Sequence, residues 1–300
     1  MAIAKELENF GHQVEILLDD HLYSEIVINS KLNFSMITDL NKKFRIIIVD
    51  KYELDDGFYL SLRKYCDVLV RMDDASPKFR RDNISDAIIN GNPYGNMKIY
   101  EGVVKSECQL LVGKDYIPMD RNFCDLRSKY KIHTDNQNIL VTFGASDCLD
   151  YSKDVVTKIG TSFPNKKITL LNGIALQDKI DLKITNVRLL PLVENMQEIL
   201  ITSDIVICSA SSICWQLTAV GIPYIAFMTS SNQELSFRYI KKENLGICLD
   251  KSCINNGFLE KAIDLYTTGK KEQMFIKGRN LIDCHGSKKI AEKLINLYDR

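Results

Sequence analysis

Runs of Ile, Val and Leu recur along this chain at short intervals, and segments of helical period separate them. The apolar runs predict strands at Val14–Leu18, Phe44–Val49, Val68–Met72, Ala87–Ile89 and Gln109–Val112. After a polar stretch at Ser128–Gln137 they resume at Ile139–Phe143, Lys167–Leu171, Val187–Leu190, Ile205–Cys208, Tyr224–Met228 and Gly246–Leu249. Predicted helices between them include Met1–Phe10, Gly57–Tyr65, Met196–Thr202, Ile213–Val220 and Gln233–Glu243. The strands are apolar throughout instead of alternating, which implies sheets covered on both faces, as in parallel α/β layers. Two such sets, broken near 128–137, predict an α/β chain of two doubly wound, Rossmann-like domains, 1–130 and 136–300, facing a cleft.

Ligands of such sheets sit beyond the carboxyl ends of the strands. The loops there carry Asp50-Lys51-Tyr52, Asp73-Asp74, Asn90-Gly91-Asn92, Gly144-Ala145-Ser146-Asp147, Asn172-Gly173, Ser209–Ser212 and Ser230–Gln233. The most informative is Ser209–Ser212, where a buried strand ends in small residues at a helix start. Free amides and the positive end of the helix dipole would point outward there, an arrangement that holds a phosphate without a metal. The alternative is that Ser211 or Ser212 only caps the helix. Asp73 and Asp74 are adjacent, point opposite ways if extended, and are expected to anchor the loop and helix that follow instead of binding a metal.

Composition narrows the class. Three hundred residues with 45% hydrophobic content support a sizeable core and about two domains. Thirty-nine basic and thirty-nine acidic residues cancel, which argues against a polyanion-binding surface. The nine cysteines form no CxxC pair, and several lie in apolar runs, so reduced structural thiols in a cytoplasmic protein are expected and a zinc site is not. No apolar run reaches the roughly 18 residues of a membrane span.

Gly11-His12-Gln13-Val14, Ile48–Tyr52, Asp73-Asp74, Asp86–Asn90 and Gly113–Pro118 follow one another in a fixed order. Phe143–Asp147, Asp204–Ile207, Trp215-Gln216, Gly221-Ile222-Pro223, Asn232-Gln233 and Ile282–Gly286 continue it. Together they resemble the UDP-2,4-diacetamido-2,4,6-trideoxy-β-L-altropyranose hydrolases of pseudaminic acid synthesis, within the MurG-like glycosyltransferase-B group. That resemblance implies cleavage of a UDP-sugar to UDP and free sugar, with the C-terminal domain holding UDP and no cofactor. By position, Gly144, Ser146, Ser209, Ser211 and Ser212 would meet UDP, Gln216 the ribose, and Asn232 and Gln233 the sugar and phosphates. Tyr52, assisted by Asn232, would face the anomeric centre.

Two departures modify this picture. Gln216 stands where the family has a ribose-binding Glu, so weaker binding is expected. Arg121 falls one place late after Met119-Asp120, and no role is carried onto it. A third lies at the start. The family opens with a strand and a loop ending in Gly-His, whereas Met1–Leu7 already matches the helix that follows. The resemblance therefore implies a chain truncated at its start, whose water-activating histidine lies upstream and whose first N-terminal-domain strand is missing. Gly11-His12 does not replace that histidine; it reads as the turn ending the first helix. A lost central strand would remove on the order of 10 kcal/mol of apolar burial, against a typical total stability of about 5–15 kcal/mol. Two facing strand edges would be left unpaired.

Three functions are consistent with these residues: a UDP-sugar hydrolase of surface-polysaccharide synthesis, impaired without the histidine; a glycosyltransferase of the same architecture; and an inactive nucleotide-sugar binding remnant.

Overall fold

The computed structural model describes residues 1–18, 32–36, 41–51, 55–74, 81–144, 149–171, 184–191, 193 and 195–299. Two compact units result, Met1–Arg121 with Cys284–Arg300, and Asn122–Asp283. The last helix, Gly286–Tyr298, thus belongs to the first unit, although the sequence suggested one domain over 136–300. Its Ile290, Ala291 and Leu294 pack with Ile3, Leu7, Val68 and Val70. Two local features hold it there. A Cβ on Gly286 would lie 2.0 Å from the Ile117 carbonyl oxygen, so only glycine permits the approach. Ser287 Oγ accepts from the Met119 amide at 2.7 Å and donates to the Met119 carbonyl at 2.9 Å.

The second unit is a six-stranded parallel sheet ordered β12-β11-β10-β7-β8-β9. Its strands are β7 (Asn138–Thr142), β8 (Lys167–Leu171), β9 (Val187–Leu190), β10 (Ile205–Ser209), β11 (Tyr224–Phe227) and β12 (Ile247–Leu249). Every residue of β10 and β11 is buried, as a strand covered on both faces requires. Asp204 ties the amino end of β10 to β7, accepting from the Gln137 and Asn138 amides at 2.7 Å and from His133 Nδ1 at 2.6 Å.

The first unit holds two sheets that do not join among the described residues. One pairs β1 (Glu15–Leu18) with β2 (Asn33–Met36). The other is parallel and ordered β3 (Phe44–Val49), β4 (Cys66–Met72), β5 (Ala87–Asn90), β6 (Gln109–Val112). A cavity of about 2040 Å³ is lined by both β1 and β3. Gly11, at φ +87°, and His12, whose amide donates to the Leu7 carbonyl, close the Ala2–Asn9 helix, as the sequence suggested.

Candidate functional site

The six-stranded sheet gathers the chemistry at one rim. β10 lies between β7 and β11, with Cys208 opposite both Thr142 and Ala226. The carboxyl ends of these three neighbours deliver Phe143-Gly144, Ser209–Ser212 and the Met228–Gln233 turn to the same edge. Gly144 sits at φ +92° in open space, a conformation other residues adopt only under strain. The Ala210 amide donates to the Phe227 carbonyl at 2.8 Å, which fixes the serine loop against β11.

Ser211 occupies the N-cap of the Ser212–Val220 helix with extended backbone, yet its side chain makes no capping bond. Its hydroxyl lies instead 2.9 Å from Ser209 Oγ. The Ser211 carbonyl accepts from the Cys214 amide at 2.9 Å, whereas helix geometry gives the Ser212 and Ile213 amides no intrahelical acceptor. Side-chain capping of the helix by Ser211, one of the readings the sequence left open, is not observed. Ser212 is exposed, and the helix behind it is anchored by buried Cys214, Trp215 and Leu217. Burial pushes the Cys214 thiol well above its ordinary pKa, so it is a packing group and not a nucleophile.

Gln216 lies one turn along this helix and is half-buried. Asn232 is exposed, while Gln233 is engaged: its Oε1 accepts from the Thr229 amide at 2.9 Å and its Nε2 donates to Thr229 Oγ1 at 3.1 Å. Gln233 thus shapes the turn that presents Asn232. Tyr52 and Ser146 lie outside the described residues, as do Asn172 and Gly173.

Sequence reasoning passed over two residues of this rim. Tyr151 donates through its hydroxyl to the Met228 carbonyl at 3.0 Å, and its ring packs on Phe143 and Phe227. Lys251 Nζ sits 4.9 Å from the centre of that ring, two residues past the end of β12. The strand-end rule that flagged the other loops also reaches Lys251. Among the described residues no group of His, Cys, Asp and Glu could hold a metal ion. No helix among them is long and apolar enough to cross a membrane.

In the first unit, Asp73 accepts a hydrogen bond from Tyr100, whose hydroxyl also accepts from Asn90 Nδ2 at 2.8 Å. That network ties Asp73 to Tyr100 and β5, whereas residues 75–80, which follow the pair, lie outside the described residues. Asp74 differs: desolvation, then the charge of Asp50, raises its carboxyl pKa although the side chain reaches the surface.

The model of the glycosyltransferase family 28 C-terminal domain matches residues 138–294, just over half of the chain, and spans every strand of this rim. The chain belongs to that family. A glycosyltransferase family 28 C-terminal domain thus accounts for the six-stranded sheet and the serine loop at its edge. An uncharacterised protein of Methanocaldococcus jannaschii, MJ1062, is 21% identical over 99% of this chain, which spans only 58% of that protein's length. The UDP-2,4-diacetamido-2,4,6-trideoxy-β-L-altropyranose hydrolase of Campylobacter jejuni is 24% identical over 76% of this chain and 82% of its own. Crystalline Acinetobacter baumannii MurG superposes with a TM-score of 0.63 over 98% of this chain and 94% of its own, at 11% identity. The fold is that of the glycosyltransferase-B group.

Proposed function

We propose that the rim of the second unit binds the diphosphate of a UDP-sugar, and that the chain hydrolyses a UDP-linked deoxy-diacetamido sugar to UDP and free sugar. The observation that carries the first part is the helix start at Ser212. Its leading amides are uncapped, its dipole is unopposed by a first-turn carboxylate, and the Ser209 and Ser211 hydroxyls sit beside it. Such fixed donors stabilise charge developing on a departing diphosphate without reorganising, so a metal is not required for that task. Lys251, over the Tyr151 ring, adds a cation at the edge. Asn232 is assigned to the sugar–phosphate link, Gln216 to the ribose, and Gly144 with Ser146 to close approach of the backbone. Tyr52 is assigned to the anomeric face.

The hydrolytic step draws its support from the resemblance to the Campylobacter enzyme. A second reading, transfer of the sugar to an acceptor other than water, is favoured by the family 28 match itself. Calorimetry with UDP tests the binding site, with saturable one-to-one heat expected and loss of that heat in Ser212→Asp. UDP release from a UDP-sugar, measured with and without added acceptor, separates the chemistries. Release to water alone supports the hydrolase, acceptor-dependent release supports the transferase, and binding with no release leaves a nucleotide-sugar binding protein.

A further inference from the structure

The far end of the Ser212–Val220 helix is closed by charge. Gly221, in the left-handed region, turns the chain so that its amide and that of Ile222 both donate to the Leu217 carbonyl. Two later carbonyls go to guanidinium groups. Arg127, on the Arg121–Lys129 helix, donates to the Ala219 carbonyl at 2.7 Å, and Arg279 Nε donates to the Val220 carbonyl at 2.9 Å. Gly278 permits the second contact. A Cβ there would lie 2.3 Å from the Thr218 carbonyl oxygen, so only glycine brings the Thr268–Leu281 helix this close. Arg127 donates to the Arg279 carbonyl at 2.8 Å, Arg279 donates to the Arg127 carbonyl at 2.6 Å, and Arg279 stacks on the Phe275 ring. Arg127 completes its set on the Ile282 carbonyl at 2.6 Å. Its hydrogen bonds thus all reach backbone carbonyls, and among the described residues no carboxylate pairs with it.

Hydrogen bonding alone does not call for charge at this place, since a glutamine amide also donates to a carbonyl. What a neutral donor lacks is a field. Nine residues at about 1.5 Å each put the two guanidiniums roughly 15 Å from the helix start. The path between runs past Cys214, Leu217, Ala219 and Val220, all 0% exposed, where salt and water screen least. At an effective dielectric of about 20, one such charge changes affinity roughly sixfold per unit of ligand charge, and at about 40 roughly two- to threefold. We infer, on the diphosphate reading of the Ser212 helix start, that Arg127 and Arg279 are remote positioning residues of that anion site. They hold the helix by its closed end and set its selectivity for a diphosphate over ligands of lower charge.

Calorimetry of the full chain with UDP, with UMP and uridine measured by displacement of UDP, tests the assignment. Arg127→Gln keeps an amide donor and removes the charge, whereas Arg127→Lys keeps the charge and loses the planar fork. UDP affinity is expected to fall at least fivefold in Arg127→Gln, UMP affinity less, and uridine affinity less than twofold. Arg127→Lys should stay within twofold of the parent for UDP, although both variants unfold at a lower temperature. The same two substitutions at Arg279 should repeat the pattern, and they supply the comparison if Arg127→Gln does not fold. Equal losses of UDP affinity in the Lys and Gln variants would make the arginines plain helix-end donors and overturn the inference. Uridine weakened as much as UDP would overturn it too. A parent chain that gives no heat with UDP removes the site and the inference together. A parent that binds UDP, with arginine variants that bind it equally well, removes the inference alone.

Discussion

Ser211 Oγ lies 2.9 Å from Ser209 Oγ, turned back toward the strand end and away from the helix it precedes. An N-cap serine spent in this way leaves the leading amides open to an incoming anion. Ser211→Asp should reverse that arrangement. Its carboxylate would cap the helix, adding about 0.5–1 kcal/mol, while repelling diphosphate. Thermal unfolding and UDP calorimetry on one sample should show stability held or raised and affinity reduced at least tenfold. Affinity unchanged in this variant would remove the helix start from the site.

Gln216→Glu should act in the opposite direction on binding. A carboxylate accepts from ribose hydroxyls about twice as strongly as an amide oxygen. A several-fold gain in UDP affinity is expected, absent for a 2′,3′-dideoxy analogue. An equal gain for both ligands would place Gln216 elsewhere than on the ribose.

Gly221→Ala should destabilise the second unit. Gly221 ends the Ser212–Val220 helix at φ +90°, and a Cβ there would lie 2.5 Å from the Phe275 ring. The backbone strain and the displaced ring together should cost about 2–4 kcal/mol. Urea unfolding gives the number, and a change below 0.5 kcal/mol, well under that ~2 kcal/mol floor, would show that Phe275 moves freely.

Asp86 sets an acid-sensitive joint in the first unit. Burial alone would raise its carboxyl pKa, but hydrogen bonds from Arg63, from Lys105 at 2.6 Å and from the Leu69 amide at 2.8 Å outweigh it and hold the pKa below its ordinary value. A depressed folded-state pKa means that the unfolded chain takes up the proton more readily. The stabilisation is therefore complete above the unfolded value near pH 4 and is lost as pH falls through the folded one. Asp86→Asn should cost about 2 kcal/mol at pH 7 and little at pH 2. Urea midpoints for the two proteins should converge on acidification; parallel curves would refute the assignment.

Most of the fold was legible because the strands are buried on both faces and so announce themselves as unbroken apolar runs. β2 was not. No strand was expected over Asn33–Met36, where Asn33 and Ser35 break up the apolar run, and the Ser35 hydroxyl donates to Glu15 on the paired strand. The placement of the last helix was equally hidden, since it depends on Gly286 and Ser287 fitting against Ile117 and Met119, far away in sequence. At the rim, the positions of Gly144 and Ser209–Ser212 followed from the strand-end rule. That Gln233 bonds to Thr229, or that Tyr151 carries Lys251 to the edge, did not, because both depend on side-chain geometry that spacing does not encode.

The return of Gly286–Tyr298 to the unit that begins at Met1 has a bearing on biosynthesis. The core of that unit includes Ile290, Ala291 and Leu294. Its first-made strands therefore wait for residues translated after the whole Asn122–Asp283 unit before their core can close.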